Sequence, residues 1–362
     1  MYKQTNIKQK MKQIHILPVM AIAALMAASC SQDEIMNEQV RTGAAIECDT
    51  YLGRDVQTRA SVMDRAALQA STAGFAVFGE MYPETGGDPE YILNNEKVAY
   101  NADNNCWVYD NVRYWIPGHV YTFYAYAPKS DDGAVYSNPW KGGIDHCIEV
   151  YEGTDYIATD KQVNQTDKLD NGTPKTAVGT VDMPFKHMLS RVGFAIKSNV
   201  DAEAGITLNS VSLNMGWSDS FATMAYLTWQ GLKPVISLNY PFPIVPQDSN
   251  GEELEFLPSP IEYTLTGSQF SSDVISSTEI VNNSDAYLML IPQSYNEPTI
   301  QVTYTVGDME QVVTKRLEAG VFESGKAYKY LITLNMDVIE IVVDSEVKDW
   351  ETEQQTDFDF TE

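Results

Sequence analysis

The run TIQVTYTV, residues 299–306, alternates throughout: Ile300, Val302, Tyr304 and Val306 fall on one side, Thr299, Gln301, Thr303 and Thr305 on the other. Side chains of an extended strand point to opposite faces in turn, so this is a strand with one face buried and one wet. Other stretches repeat the theme with aromatic and β-branched residues. FAVFGEMY, CWVYDNVRYW and HVYTFYAYAP are separated by turn clusters such as TGGDPE, NADNN and KSDDG. RVGFAIK sets Val192, Phe194 and Ile196 against Arg191 and Lys197, and KYLITLN groups Tyr328, Tyr330, Ile332 and Leu334. AYLMLIP is apolar along its length, as a strand buried on both faces would be. No amphipathic helix longer than about three turns can be drawn, which excludes folds that need crossover helices. A short helical spacing of Met63, Ala66, Ala67 and Ala70 has Ser61 as its expected N-cap, with Asp64 three residues on. The chain is predicted to be all-β and to fold as sandwiches.

Size sets the number of cores. The 362 residues exceed one ordinary hydrophobic core, and 44% apolar content suffices for a packed interior. No fixed-period repeat points to a propeller or solenoid. The polar stretch 163–180 reads as a long loop, after which strand periodicity restarts, so the division is expected near Pro184. That gives an N-terminal domain over residues 44–183 and a C-terminal one over 184–362. The formal net charge is −26, and all 50 acidic residues lie beyond Cys30. Such a surface repels nucleic acid and anionic lipid, so no nucleic-acid partner is expected.

The first residues read as an address. Lys12, with Lys3, Lys8 and Lys10 upstream, precedes an apolar run over 14–26 and then Ala27-Ala28-Ser29-Cys30. A basic start, a short apolar stretch and small residues at its end make a secretory signal, too short to span a bilayer. Small residues directly before a cysteine resemble the lipoprotein signal, with Ala27 where leucine is more usual. The expectation is a signal peptide over 1–29, cleavage before Cys30, acylation of that thiol, and a tether over 30–43. Met1 and Met11 both supply a basic start. Ser31-Gln32-Asp33-Glu34 resembles the signal that sends Bacteroidetes lipoproteins to the cell surface, which implies an outer-membrane lipoprotein.

Motifs for chemistry are sparse. Beyond Cys30 the cysteines are Cys48, Cys106 and Cys147, with no CxxC spacing. A Cys106–Cys147 disulfide and buried free thiols are both open. His146 and Cys147 are adjacent, and neighbours on a strand face opposite ways, which is poor geometry for a nucleophile and base. His119 and His187 have no partner at helical spacing. Asp103-Asn104-Asn105 and Asp131-Asp132 lack the spacing of a calcium loop and read as turns. No catalytic, cofactor or metal residues are assigned, and the chain is expected not to be an enzyme. Twenty-one tyrosines and six tryptophans raise a second possibility, an aromatic surface that stacks on glycans, against the plainer use of tyrosine in half-buried strands.

The two ends carry the remaining signal. Within GAAIECDTYLG, Ile46, Cys48, Thr50 and Leu52 share one face, with Glu47, Asp49 and Tyr51 opposite. An arginine-bearing loop with Arg54 and Arg59 follows. Near the C-terminus Ile339, Ile341 and Val343 share a face, and the acidic tail ETEQQTDFDFTE places Phe358 and Phe360 two apart. Large apolar side chains at period two on a polar strand suit pockets along a sheet edge, as in strand addition. Residues 337–350 could equally complete their own sandwich.

Several segments together resemble the fimbrillin family of Bacteroidales, the pilins and pilus-associated lipoproteins. They are the signal at Cys30, Thr58-Arg59-Ala60 ahead of GFAVFG, Tyr114-Trp115 followed by YTFYAYAP, PFKHMLSRVGFAI, YLMLIPQ, KYLITLN and the ending VKDW. The resemblance implies two transthyretin-like β-sandwich domains in tandem. It also implies that an extracellular trypsin-like protease cuts after an arginine in the first domain, here Arg59 before Ala60, with Arg54 as runner-up. The strand bearing Ile46, Cys48, Thr50 and Leu52 would then leave. A strand from another fimbrial subunit, with Ile339, Ile341, Val343, Phe358 and Phe360 as candidates, would take its place. Fimbriae so built would mediate attachment to a glycan or host surface. The alternative is a surface lipoprotein that captures glycans.

Overall fold

The computed structural model describes residues 44–52, 63–129, 135–137, 146–165, 180–214, 221–238, 263–337 and 339–350. Cys30, Arg54, Arg59, Ala60, Phe358, Phe360 and Asp131-Asp132 lie outside them. What is described is almost wholly β.

The first half of the chain runs β1 (Glu47–Leu52), α1 (Arg65–Ala70), β2 (Phe75–Pro83), β3 (Glu90–Asn101), β4 (Cys106–Val108) and β5 (His119–Ala127). It continues through β6 (Val135–Ser137), β7 (His146–Tyr151), β8 (Ile157–Thr159), β9 (Gln162–Gln165) and β10 (Thr180–His187). Then come β11 (Ser190–Ser198), β12 (Ile206–Asn214), β13 (Met224–Gln230), β14 (Lys233–Ser237), β15 (Tyr263–Thr266), β16 (Val274–Ile275) and β17 (Ile280–Val281). The last are β18 (Leu288–Leu290), β19 (Gln293–Tyr295), β20 (Thr299–Val306), β21 (Met309–Arg316), β22 (Gly320–Phe322), β23 (Lys326–Asn335) and β24 (Glu340–Asp349).

An eight-stranded sheet has the order β1-β10-β8-β5-β2-β3-β4, with β9 also on β5. One five-stranded sheet is β17-β11-β23-β24 with β18 on β11, and another is β15-β12-β20-β21 with β16 on β12. The two five-stranded sheets enclose one core, in which Phe194, Ile332 and Leu334 meet Leu208, Val302 and Tyr304. A second core, with Phe75, Trp115, Phe123 and Phe185, fills the inside of the eight-stranded sheet. The third is formed where Phe78, Tyr124 and Tyr126 on that sheet's other face meet Ile148, Leu227 and Trp229 of the four-stranded sheet β14-β13-β7-β6. Adjacent residues of β2 therefore serve different cores, which is why its burial is continuous and not alternating.

One local expectation changes. The N-cap of α1 is Asp64, whose carboxylate accepts from the Ala67 N–H at 2.7 Å, and not Ser61. Pro184 sits inside β10, and the chain passes from the eight-stranded to a five-stranded sheet between His187 and Ser190. The hairpin β13–β14 turns back and pairs with β7 from the earlier half of the chain. Arg191, on the face of β11 opposite Val192, Phe194 and Ile196, is buried, with its guanidinium over the rings of Tyr287 (4.4 Å) and Trp350 (5.1 Å). Tyr287 and Trp350 thus cover this part of the second face of β11, whereas Lys197 further along is half-buried.

Candidate functional site

β1 and β4 lie at opposite ends of the eight-strand order, yet they are side by side. β1 closes the gap between them. Its C-terminal part pairs in parallel with β10, Cys48 opposite Val181, Thr50 opposite Met183 and Leu52 opposite Phe185. Just before it, Ala45 bridges Tyr114, the Ile46 N–H donates to the Arg113 carbonyl at 2.8 Å, and the Trp115 N–H donates to the Ala44 carbonyl at 3.0 Å. The Tyr109 hydroxyl adds a bond to the Ile46 carbonyl at 2.7 Å. One ladder and one short bridge hold the strand. Among the described residues no other strand pairing runs through it.

The alternation in its sequence sets what it buries. Ile46, Cys48 and Thr50 point into the second core while Asp49 faces out. Burial, helped by Glu47 and Asp49, pushes the Cys48 thiol up to about 12. An exposed Arg65–Asp49 pair at 3.6 Å links α1 to the strand, a kind of contact that contributes about 0–1 kcal/mol at most. Polar satisfaction is incomplete. Thr50 Oγ1 and the indole Nε1 of Trp107 and Trp115 are buried without a hydrogen-bond partner, and an unpaired buried donor costs about 1–3 kcal/mol. In the sequence Trp107 stands only within the aromatic run CWVYDNVRYW, and Trp115 also beside Tyr114 in the family resemblance; nothing there marked either as lining a slot.

A second cluster fixes the chain on either side of the slot. Buried Asp155 accepts from the Met63 N–H at 2.6 Å and pairs with His187 Nδ1 at 3.0 Å. The His187 ring lies flat on the Trp350 indole, centroids 3.9 Å apart, and the Trp350 N–H donates to the Gly325 carbonyl. Met63 and Trp350 are thus anchored together beside the end of β10. Nothing in a lone histidine at position 187 announced this.

Other sequence candidates have structural partners. His146 stacks on Phe78, bonds to the Tyr124 hydroxyl at 2.7 Å and to Asn94 Oδ1 at 3.1 Å. Its neighbour Cys147 is a buried free thiol, pushed up to about 12 by burial and Glu149. The Cys106–Cys147 disulfide is therefore not formed. Asn101 Oδ1 accepts from the Asp103 and Asn104 N–H groups, an ordinary turn. Among the described residues no three metal-ligating side chains converge. Of the described aromatic side chains only Tyr91 and Tyr151 are largely exposed; Tyr121, Tyr124, Tyr126, Tyr226 and Tyr304 are fully buried. The C-terminal candidates divide. Ile341 is buried in the core of its own two sheets, Val343 packs against it, and Ile339 is exposed. β24 pairs along its whole length with β23, so residues 340–349 complete their own sheet.

A model of fimbrillin-like proteins matches residues 58–350. A fimbrium subunit, Fim1C, of Phocaeicola vulgatus is 23% identical, the match covering 94% of this chain and 97% of that protein. Among solved structures, a fimbrial protein from Bacteroides vulgatus has a TM-score of 0.61 at 18% identity, covering 84% of this chain and 99% of that one. Another, from Bacteroides ovatus and described in terms of a proposed cell adhesion role, has a TM-score of 0.50 at 16% identity, covering 87% and 100%.

Proposed function

From a chain that belongs to the fimbrillin-like family, we propose a subunit of surface fimbriae that is exported as a lipoprotein and assembled by strand replacement. In this scheme Cys30 carries the lipid, the chain up to β10 and the chain from β11 onward form tandem transthyretin-like sandwiches, with the β13–β14 hairpin reaching back to β7, and a trypsin-like protease cuts between Arg59 and Ala60, or after Arg54. The cut frees β1 together with the lipid tether. A strand from a neighbouring subunit then fills the slot, and the filament mediates attachment. No catalytic step is assigned to the chain.

The observation that carries this proposal is the way β1 is held. It is a terminal strand on one parallel ladder, and it fills a slot with alternate side chains. Its loss breaks no other strand pairing among the described residues but uncovers an apolar edge, a surface that another strand will pair with. Because Ile341 belongs to its own core, the donor face falls to Phe358 and Phe360. Trypsin treatment of the purified protein, followed by N-terminal sequencing and SDS gels, tests the scheme. A new terminus at Ala60 with concentration-dependent, SDS-resistant multimers is expected. A chain that stays uncut at both Arg59 and Arg54, or a cut product that stays monomeric, rules out the scheme.

A further inference from the structure

Arg65 opens α1 a short way beyond Arg59, and by residue type it is as good a target for a trypsin-like protease as Arg59 itself. Its side chain is 40% exposed, so burial of the guanidinium does not protect it. Its partner Asp49, 3.6 Å away, belongs to β1 and leaves with that strand in the scheme above. A protease reads a bond in opened, extended backbone, so the fate of the Arg65–Ala66 bond depends on how firmly α1 is closed. A helix of six residues has little stability of its own. It is fixed from both sides. Asp64 caps it, accepting from the Ala67 N–H at 2.7 Å through its carboxylate and from the Leu68 N–H at 2.9 Å through its carbonyl. Leu68, 1% exposed, enters the second core. The residue before the cap is tied to a distant part of the chain. The Met63 N–H donates to Asp155 Oδ2 at 2.6 Å, while Asp155 Oδ1 meets His187 Nδ1 at 3.0 Å. Asp155 is 5% exposed, a buried carboxylate with both oxygens engaged.

Resting on the processing step proposed above, we propose that Asp155 sets where processing stops. Together with the Asp64 cap it keeps the Arg65–Ala66 bond helical, so that the last cut falls at Arg59. The tie matters most once that cut is made. β1 then takes Asp49 away from Arg65, and the new terminus at Ala60 stands only Ser61 and Val62 before Met63. A free end so close to a short helix frays into it unless it is pinned. Here it is pinned at Met63, by a carboxylate whose place is fixed through His187 and the Trp350 ring stacked on it. A second cut after Arg65 would remove Met63 and the Asp64 cap together, and leave Leu68 of the second core on an uncapped turn.

The test is limited trypsin digestion of the full chain and of its Asp155→Ala, Asp155→Asn and Asp64→Ala variants, with new termini identified and timed by mass spectrometry. The native chain should yield a terminus at Ala60 and none at Ala66. Asp155→Ala should speed cutting after Arg65 roughly tenfold or more, as loss of a buried charged acceptor requires. Asp64→Ala should act in the same direction through loss of the cap. Asp155→Asn still offers an oxygen to the Met63 N–H and an N–H to His187, and should restore most of the protection. Arg316, on β21 with its side chain 61% exposed, reports general opening of the fold and should be cut at one rate in all four chains. The inference is overturned by a native chain cut after Arg65 as readily as after Arg59, or by an Asp155→Ala chain in which Arg65 stays closed. Cutting after Arg316 that rises in step with cutting after Arg65 overturns it too. A native chain uncut at both Arg59 and Arg54, with Ala66 appearing as a terminus in the variants alone, removes the assembly scheme and leaves the clamp on Arg65 standing.

Discussion

Cys48 shows at one side chain what the slot does to chemistry. Its thiol is closed in by the second core and flanked by Glu47 and Asp49, all of which oppose the thiolate. The unfolded thiol titrates near 9.0, the buried one near 12. Stability from keeping it neutral is complete below pH 9 and is lost as pH rises toward 12, because the unfolded chain releases its proton first. Cys48→Ala should therefore flatten the alkaline decline of the urea midpoint between pH 9 and 11 relative to the native chain. An unchanged slope would mean the thiol reaches solvent. The same enclosure makes Cys48 slow toward thiol reagents in the intact protein and fast once β1 has left, whereas Cys147, buried on β7, should stay slow throughout.

Among the elements, β24 and the tail beyond it separate two roles that adjacent sequence seemed to share. Ile341 is in the core between the five-stranded sheets, and truncating a buried isoleucine typically costs about 2–5 kcal/mol. Ile341→Ala should lower the melting temperature of the unprocessed chain, while Phe358→Ala should leave it unchanged and abolish multimers after trypsin. A stable Ile341→Ala chain that fails to polymerise would return the donor role to β24. The strands themselves were legible where one face is wet. β20 buries Ile300, Val302 and Tyr304 in the alternation its sequence spells out. β23 was not so legible: flanked by β11 and β24 and covered on both faces, it buries even Lys329, which lies 3.6 Å from Glu279. Pattern alone could mark β1 as a half-buried strand. It could not name β10 as its partner, because periodicity fixes which face is buried and says nothing of distant pairing. The Asp155–His187–Trp350 cluster was hidden for the same reason.

For the whole molecule, charge sets the conditions of assembly. Each chain carries a formal −26 and a sequence pI near 4.4, and the tail adds Glu351, Glu353, Asp357, Asp359 and Glu362 to a surface already acidic. Such chains repel one another before any slot and tail can meet, which keeps the exported subunit soluble and makes encounter the slow step. Screening shortens the range of that repulsion from ~30 Å at 0.01 M salt to ~8 Å at 0.15 M. Growth of multimers from trypsin-processed protein should therefore accelerate several-fold between those two salt concentrations, and again as pH falls toward 4.4. Light scattering with the protease removed after cutting separates growth from cleavage. The peptide of residues 351–362, being short, should bind the open slot with a weaker salt dependence than whole subunits show for each other. Equal dependence would place the repulsion at the tail itself, and neutralising Asp357 and Asp359 on its outward face should then restore fast growth at low salt.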